Sequence, residues 1–273
     1  NDEKYIDELL KICKLEKIDA ILSLIDPELS ILANNSKYFD EIGVKVLVSD
    51  FDTTELCFDK MAMFEFLEEN NFRCAKTYCD LDKFKIDMEL EKVKFPVFVK
   101  PRTGSASLGI NKVTNMKHLE LLLELGEDLI IQEFLHGQEY GVDVYTDFLS
   151  KDIISIFAKK KVRMRSGETD KAVSFKDEKL FDLIYEFVKK LGTVGTVDID
   201  VFEVDGEYYI SEVNPRFGGG HLIAYECGDN YPLYIKNNLN GIVNKSRIGM
   251  YEEGVFMIKH DTLSMIKENK KVI

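Results

Sequence analysis

The chain has 273 residues, room for one large or two modest domains, and 45% of them are hydrophobic, enough to fill a core. A formal net charge of −13 repels phosphate backbones, so nucleic-acid binding is not expected, although a local basic pocket can still hold a small anion. No apolar run reaches the length of a membrane span and there is no signal peptide; the five scattered cysteines form no CxxC pair, which argues against a disulfide framework or a zinc site and fits reduced thiols in a cytoplasmic protein. The first residue is Asn1 rather than Met, which leaves room for a segment before it.

In chain order, residues 3–16 carry Ile6, Leu9, Leu10 and Cys13 at helical spacing. Ala20–Ile25 reads as a buried strand. Asp26 as N-cap, Pro27 at the first helical position and Glu28 in the first turn predict a helix to about Phe39. Gly43 stops it, and Val44–Val48 is a further strand, so the opening fifty residues have a β-α-β, parallel-sheet character. Asp59 begins a helix through Met61, Phe64 and Leu67 to about Asn70, followed by a polar stretch to Lys94.

Next come a strand at Val97–Lys100, a Gly/Ser loop over Arg102–Gly109, a strand at Ile110–Val113, a helix at Met116–Leu125 and a strand at Leu129–Phe134. Strands are expected at Tyr140–Thr146 and Ile153–Lys160, and an amphipathic helix over 177–191. Val197–Val204 and Tyr208–Val213 flank Asp205-Gly206, a strong hairpin signal. The fold class is therefore α/β followed by α+β, with mixed or antiparallel sheet after the first fifty residues.

Several constellations carry chemistry. Lys100 ends the buried run Phe95-Pro96-Val97-Phe98-Val99, where a cation is costly unless it meets an anion, and the loop beside it, with Ser105 and Ser107, offers backbone N–H groups to phosphate oxygens. Taken alone, this reads as readily as an exposed lysine beside a flexible turn; it is not a Walker loop. Glu133, Phe134 and Leu135 run into a connector whose backbone can read an adenine edge, and Glu139 can bond ribose hydroxyls; alone, these are ordinary residues at a strand end.

The most specific set is Asp198 and Asp200 on one strand with Glu212 and Asn214 ending the next, the hard oxygen ligands of a Mg²⁺ shared with nucleotide phosphates, with Arg216 beside them; a capped strand end with an Arg–carboxylate pair is the plainer reading and ranks below it. For Asp200 and Glu212 to share a face, a plain two-residue turn at Asp205-Gly206 is excluded, which predicts a three-residue loop or a bulge near Gly206. Lys159, Lys161, Arg163 and Arg165 alternate onto one strand face, where one of them could receive a carboxylate or phosphate; a solvated face is the ordinary reading of such a run. Gly218-Gly219-Gly220 suggests close backbone approach to a ligand, and His221 after it is more often structural than a ligand.

Asp59-Lys60, Lys100 in Phe-Val-Lys-Pro, the Ser/Gly loop, Glu133–Glu139 and Asp200…Glu212-x-Asn214-x-Arg216 occur in an order that resembles the ATP-grasp superfamily, most nearly biotin carboxylase and the synthetase halves of the carbamoyl phosphate synthetase large subunit. The resemblance spans nearly the whole chain. It implies a partial Rossmann-like unit over 1–50 that lacks its opening strands, and an ATP-grasp unit over 51–273 with a lid at about 75–132. By the same resemblance, Lys60, Lys100, Ser105 and Ser107 hold ATP phosphates; Glu133, Phe134 and Leu135 line the adenine pocket; and Glu139 holds ribose. Asp200, Glu212 and Asn214 would bind two Mg²⁺ ions, with Mn²⁺ a substitute, and Arg216, with Lys100, would serve catalysis.

Two departures stand out: Ser-Ala-Ser-Leu-Gly replaces a glycine run in the loop, and Asp200 stands where the family often has Glu or Gln. The implied activity is ADP-forming ligation of a small carboxylic acid to an amine through an acyl-phosphate, in a possible homodimer. Bicarbonate or carbamate activation, and a nucleotide-binding module without turnover, are the rival readings.

Overall fold

A computed structural model describes residues 4–104, 109–165 and 167–265. The chain opens with helix α1 (Tyr5–Glu16), strand β1 (Ala20–Ile21), helices α2 (Asp26–Asn34) and α3 (Ser36–Asp40), and strand β2 (Lys45–Val46), which pairs in parallel with β1. The expected strand–helix–strand order holds, but both strands are shorter than the hydrophobic runs that announced them. The single long helix is two: it breaks at Asn35, whose amide turns back to the Ile31 carbonyl. Asp26 is not the cap. Ile25 holds that position with no capping side chain, its N–H donating to the Ser23 hydroxyl, which leaves the Asp26 carboxylate free to point elsewhere.

Helices α4 (Phe51–Phe58) and α5 (Lys60–Glu69) follow. Asp59 caps α5 as expected, its carboxylate accepting from the N–H groups of Met61 and Ala62. The second sheet is built from β3 (Thr77–Tyr78), β4 (Val97–Pro101), β5 (Asn111–Val113) and β6 (Leu129–Glu133), in the order β3-β6-β4-β5, all antiparallel. Helices α6 (Leu81–Glu89) and α7 (Met116–Leu125) cover it through Phe84 and Leu119, which meet Val97, Val99 and Ile131 in a core of their own.

The third sheet has six antiparallel strands in the order β11-β10-β7-β8-β9-β12: β7 (Gln138–Thr146), β8 (Ile153–Arg165), β9 (Glu168–Phe175), β10 (Gly195–Val204), β11 (Glu207–Asn214) and β12 (Phe256–Ile258). Period two divides its faces. Val142, Val144, Ile199 and Val201 point to one side and bury against α8 (Glu178–Leu191) and α5. Helix α8 presents Leu180, Ile184, Phe187, Val188 and Leu191 to that core, with Phe187 edge-on to Phe66 and Phe72. Asp177 caps it at one end and Gly192, at φ +79°, closes the other. The opposite face carries Glu139, Gly141, Asp143, Lys159, Asp198 and Asp200, and it floors the cleft. Helices α9 (Leu222–Glu226) and α10 (Tyr231–Leu239) complete the chain's helices among the described residues.

Asp205 and Gly206, at φ +52° and +79°, make a two-residue turn of the kind that hairpins favour, so the predicted longer loop is absent. The predicted irregularity exists but lies beside the site: Asp200 pairs with Glu212 and Val201 with Ile210, so Ser211 is the extra residue of a bulge. A bulge re-aims the strand beyond it, and this one brings Glu212 onto the face of Asp200.

Candidate active site

A cleft of about 710 Å³ lies between the four- and six-stranded sheets. Lys100, Glu133, Leu135, Glu139, Asp200, Glu212, Asn214 and Arg216 all line it, with Gly218–Gly220 at one end. Two expected members stand aside. The Phe134 ring packs on Phe98 at 5.0 Å between centroids and under the Lys112 ammonium, so only its backbone can serve the cleft. Lys60 lies in the adjoining wall and donates to the Gly104 carbonyl at 2.7 Å. Arg102 clasps Asp59 through three contacts of 2.6–2.9 Å, so the base of the Gly/Ser loop is tied to the start of α5. Ser105 and Ser107 lie outside the described residues.

Lys100 is 5% exposed. Burial pulls its pKa down to about 8, against the pull of Glu212 upward, and neighbouring Lys60 lowers it further. Lys60 is likewise depressed by burial and held up by Glu212 and Asp26. Both lysines are partly desolvated, a setting that suits a cation to meeting an anion.

The floor is a lattice of alternating charge. Lys159 Nζ sits 2.6 Å from Asp143 and 3.9 Å from Asp198, and Lys161 Nζ sits 2.6 Å from Asp200 and 2.7 Å from Glu139. Burial pushes the Asp198 carboxyl up to about 7 despite Lys159, with Asp200 and Asp143 adding to the rise. Burial likewise raises Glu139. The Lys161 ammonium, which burial disfavours, is nonetheless held charged by Asp200 and Glu139.

The expected single basic face ends at Lys161. Strand β8 shifts register on either side of Arg163, which turns Met164 into the cleft and both arginines outward. Arg165 there meets Asp170 and Asp261, and Arg163 lies 3.8 Å from Asp170.

Arg216 is held from two sides. Its Nη2 donates to Asp26 Oδ2 at 3.1 Å, its Nε lies 3.0 Å from Asp26 Oδ1 as an ion pair rather than an aligned hydrogen bond, and Asp198 lies 3.6 Å from Nη1. The sequence reading missed this use of Asp26, because an Asp-Pro pair at a helix start looks complete as a cap. His221 is buried between the rings of Phe217 and Tyr231, with neither ring nitrogen hydrogen-bonded and its pKa lowered by burial.

Asp200 and Glu212 face each other as a strand pair, and Asp198 faces Asn214. Among the described residues no group of three or more His, Cys, Asp or Glu converges to hold a metal unaided. Two carboxylates and one amide oxygen nevertheless suit Mg²⁺, a hard cation that takes one or two carboxylates and completes its shell with water and phosphate oxygens. The donor set fits an ion shared with a nucleotide.

A cleft of lysines and acids between two antiparallel sheets suits a phosphorylated ligand, and comparison with known proteins gives the family. Residues 57–220 match the ATP-grasp domain, and residues 1–47 match the PylC-like N-terminal domain. The first match covers more than half of the chain, which belongs to the ATP-grasp family. Among curated relatives, the arginine-specific large chain of carbamoyl phosphate synthase from Geobacillus stearothermophilus is 24% identical over 77% of this chain; the chain spans only 21% of that protein. D-alanine–D-alanine ligase B of Clostridium perfringens is 27% identical over 78% of this chain and 77% of its own length. The solved biotin carboxylase of Campylobacter jejuni superposes with a TM-score of 0.74 at 15% identity, over 93% of this chain and 62% of that one. That likeness speaks to the fold. No helix among the described residues is long and apolar enough to cross a membrane.

Proposed function

We propose that this chain is an ADP-forming ligase that joins a small carboxylic acid to an amine through an acyl-phosphate. The observation that carries the reading is the strand pairing of Asp200 with Glu212 in one cleft with the depressed Lys100 and with Arg216. Phosphoryl transfer is chiefly positioning plus neutralisation of charge, and this floor supplies both. In this reading the four-stranded sheet, about residues 75–132, is a lid, residues 1–50 are a partial Rossmann-like unit, and the remainder is the catalytic body.

Lys60 and Lys100 neutralise phosphate oxygens, with Ser105 and Ser107 contributing from the loop. Glu133, the Phe134 backbone and Leu135 border the adenine, and Glu139 accepts from ribose. Asp200, Glu212 and Asn214 would hold Mg²⁺, two ions by expectation, which when bound supplies Lewis-acid neutralisation of phosphate charge; Mn²⁺ has the same ligand preference. A substrate carboxylate oxygen attacks the γ-phosphorus, the bond from that phosphorus to the bridging oxygen breaks, and ADP leaves. The amine then adds to the acyl carbon, loses a proton and expels phosphate. Arg216 faces the carboxylate and the developing phosphate charge.

The rival is activation of bicarbonate, favoured by the likeness to carbamoyl phosphate synthase and biotin carboxylase. A single experiment separates the readings. Acid and amine pools are screened for ADP release, and the productive acid is then labelled with heavy oxygen in its carboxylate. One label is expected in the released phosphate. AMP as product, or unlabelled phosphate from a productive reaction, overturns the acyl-phosphate route; label from bicarbonate alone transfers the assignment to the rival.

A further inference from the structure

Lys161 stands in β8, yet it grips acids on two other strands. Its ammonium bonds Glu139 on β7 and, one strand further, Asp200 on β10. A lysine stem can cross an intervening strand only where that strand leaves a gap, and Gly141 is the gap. Gly141 pairs with Lys159 on one side and Asp200 on the other. A Cβ at Gly141 would lie 3.0 Å from Lys159 Cε and 3.2 Å from Lys161 Cε, tighter than ordinary packing. A glycine within a strand weakens it and is often a site of close approach. Here what approaches is a pair of buried lysine stems.

The consequence follows from charge. Lys161 is buried, and two of its three donors are spent on carboxylates that the nucleotide site would otherwise present to ligand. A divalent cation approaching Asp200 meets an oxygen already bonded to an ammonium, and it meets that ammonium's repulsion at contact distance in a half-desolvated setting.

We propose that Lys161 competes with the divalent cation for Asp200, so that metal engages Asp200 only when nucleotide phosphates arrive to share its charge. This rests on the reading of Asp200, Glu212 and Asn214 as metal ligands. The competition serves the chemistry: a free ion bound first would leave the acids neutralised before the substrate is in place, whereas a resident ammonium keeps Asp200 and Glu139 ordered, and the floor assembled, until both partners are present.

The test is Mn²⁺ binding without nucleotide, read as loss of the free-ion signal in electron paramagnetic resonance at low salt. Wild type is expected to bind weakly, and Lys161→Met about tenfold or more tightly, a gain that shrinks as salt rises. Because that variant leaves two carboxylates without their cation, Glu139→Gln combined with Lys161→Met is the second arm; it removes one charge of each sign and keeps Asp200. It too should bind Mn²⁺ more tightly than wild type, and the Lys161→Met melting temperature should rise with Mn²⁺ more steeply than the wild-type one.

A folded Lys161→Met or double variant that binds Mn²⁺ no better than wild type overturns the competition. Glu212→Gln separates this failure from failure of the metal site itself. If Glu212→Gln abolishes Mn²⁺ binding in the presence of ADP while Lys161 variants change nothing, the ligand set stands and the competition falls. If no form binds Mn²⁺ even with ADP, both fall.

Discussion

Lys100 offers the sharpest test of the site, because it should harm the fold while serving the ligand. Its ammonium is buried at the mouth of β4, with Glu212 and Asp200 close enough to be felt but not enough to offset desolvation. Burial takes its pKa from 10.5 to about 8. The folded protein therefore binds this proton less tightly than the unfolded chain does. Below about pH 8 both states carry the proton and the full cost of the charge is present, at most about 3 kcal/mol from roughly 1.4 kcal/mol per pKa unit. Between about pH 8 and 10.5 the folded protein has released the proton while the unfolded chain keeps it, so stability rises with pH; above that range the cost is gone. Lys100→Met keeps the stem and deletes the charge. It should raise the unfolding free energy at pH 7 by an amount on the order of 1–3 kcal/mol, and the advantage should vanish by about pH 10.5. The same variant should weaken MgATP binding by a few kcal/mol, as expected when a buried charge contact is lost. Urea unfolding at the two pH values, with nucleotide titration by calorimetry, reads both halves. A Lys100→Met protein less stable than wild type at pH 7, or one with undiminished nucleotide affinity, would refute the reasoning.

Other substitutions probe other parts. Glu212→Gln keeps size and removes charge, and it should slow the chemical step by roughly 10²–10³ while changing the melting temperature little; equal turnover in a single-turnover assay would remove Glu212 from the site. Phe187→Ala empties the centre of the α8 packing beside Phe66 and Phe72 and should cost about 3–5 kcal/mol in urea unfolding, with a smaller loss showing that the ring's neighbours collapse into its place. Asp26→Asn removes the acid that holds Arg216 from the N-terminal unit and should cost about 1–3 kcal/mol, the expectation for leaving a partly buried cation half-paired; unaltered stability would show that Asp198 alone suffices.

The elements that were legible in the sequence are those whose signals are local. Helix α7 starts at Asn115, whose side chain caps it, and ends before Gly126, and it was read correctly at both ends. Helix α8 declared itself through its one-sided apolar stripe, and α5 through Asp59. Helix α6 was not seen: Phe84 is its only fully buried residue, so no stripe stands out from the polar stretch around it. Strand β9 was not seen because Gly167-Glu168 reads as loop; it pairs with the preceding β8 on one side and with the distant β12 on the other. The basic tail of β8 was misjudged too. Four cations in alternation look like a solvated face until the acids of β7 and β10 are brought beside two of them.

The same distinction explains what the site kept hidden. Asp200, Glu212, Asn214 and Arg216 are close along one hairpin, so their spacing reveals them. The partners that set their charge come from elsewhere: Asp26 from the N-terminal unit, Lys161 from β8, and Gly141 as the opening through which Lys161 reaches. Only Gly141 left a local trace, a glycine inside a strand. Read as a demand for close approach, it predicts a buried stem crossing β7. Gly218 extends the same logic to the far end of the cleft: a Cβ there would lie 2.5 Å from the Asp198 carboxyl carbon, so the glycine run lets backbone close over the very acid that backs Arg216. Gly218→Ala should therefore push Asp198 off Arg216 and disturb the cleft more than Gly219→Ala, whose Cβ would meet nothing closer than 3.5 Å, the Glu168 carboxylate. Nucleotide affinity measured for the two variants side by side decides the point. Equal losses would mean that the run serves chain flexibility rather than the contact with Asp198.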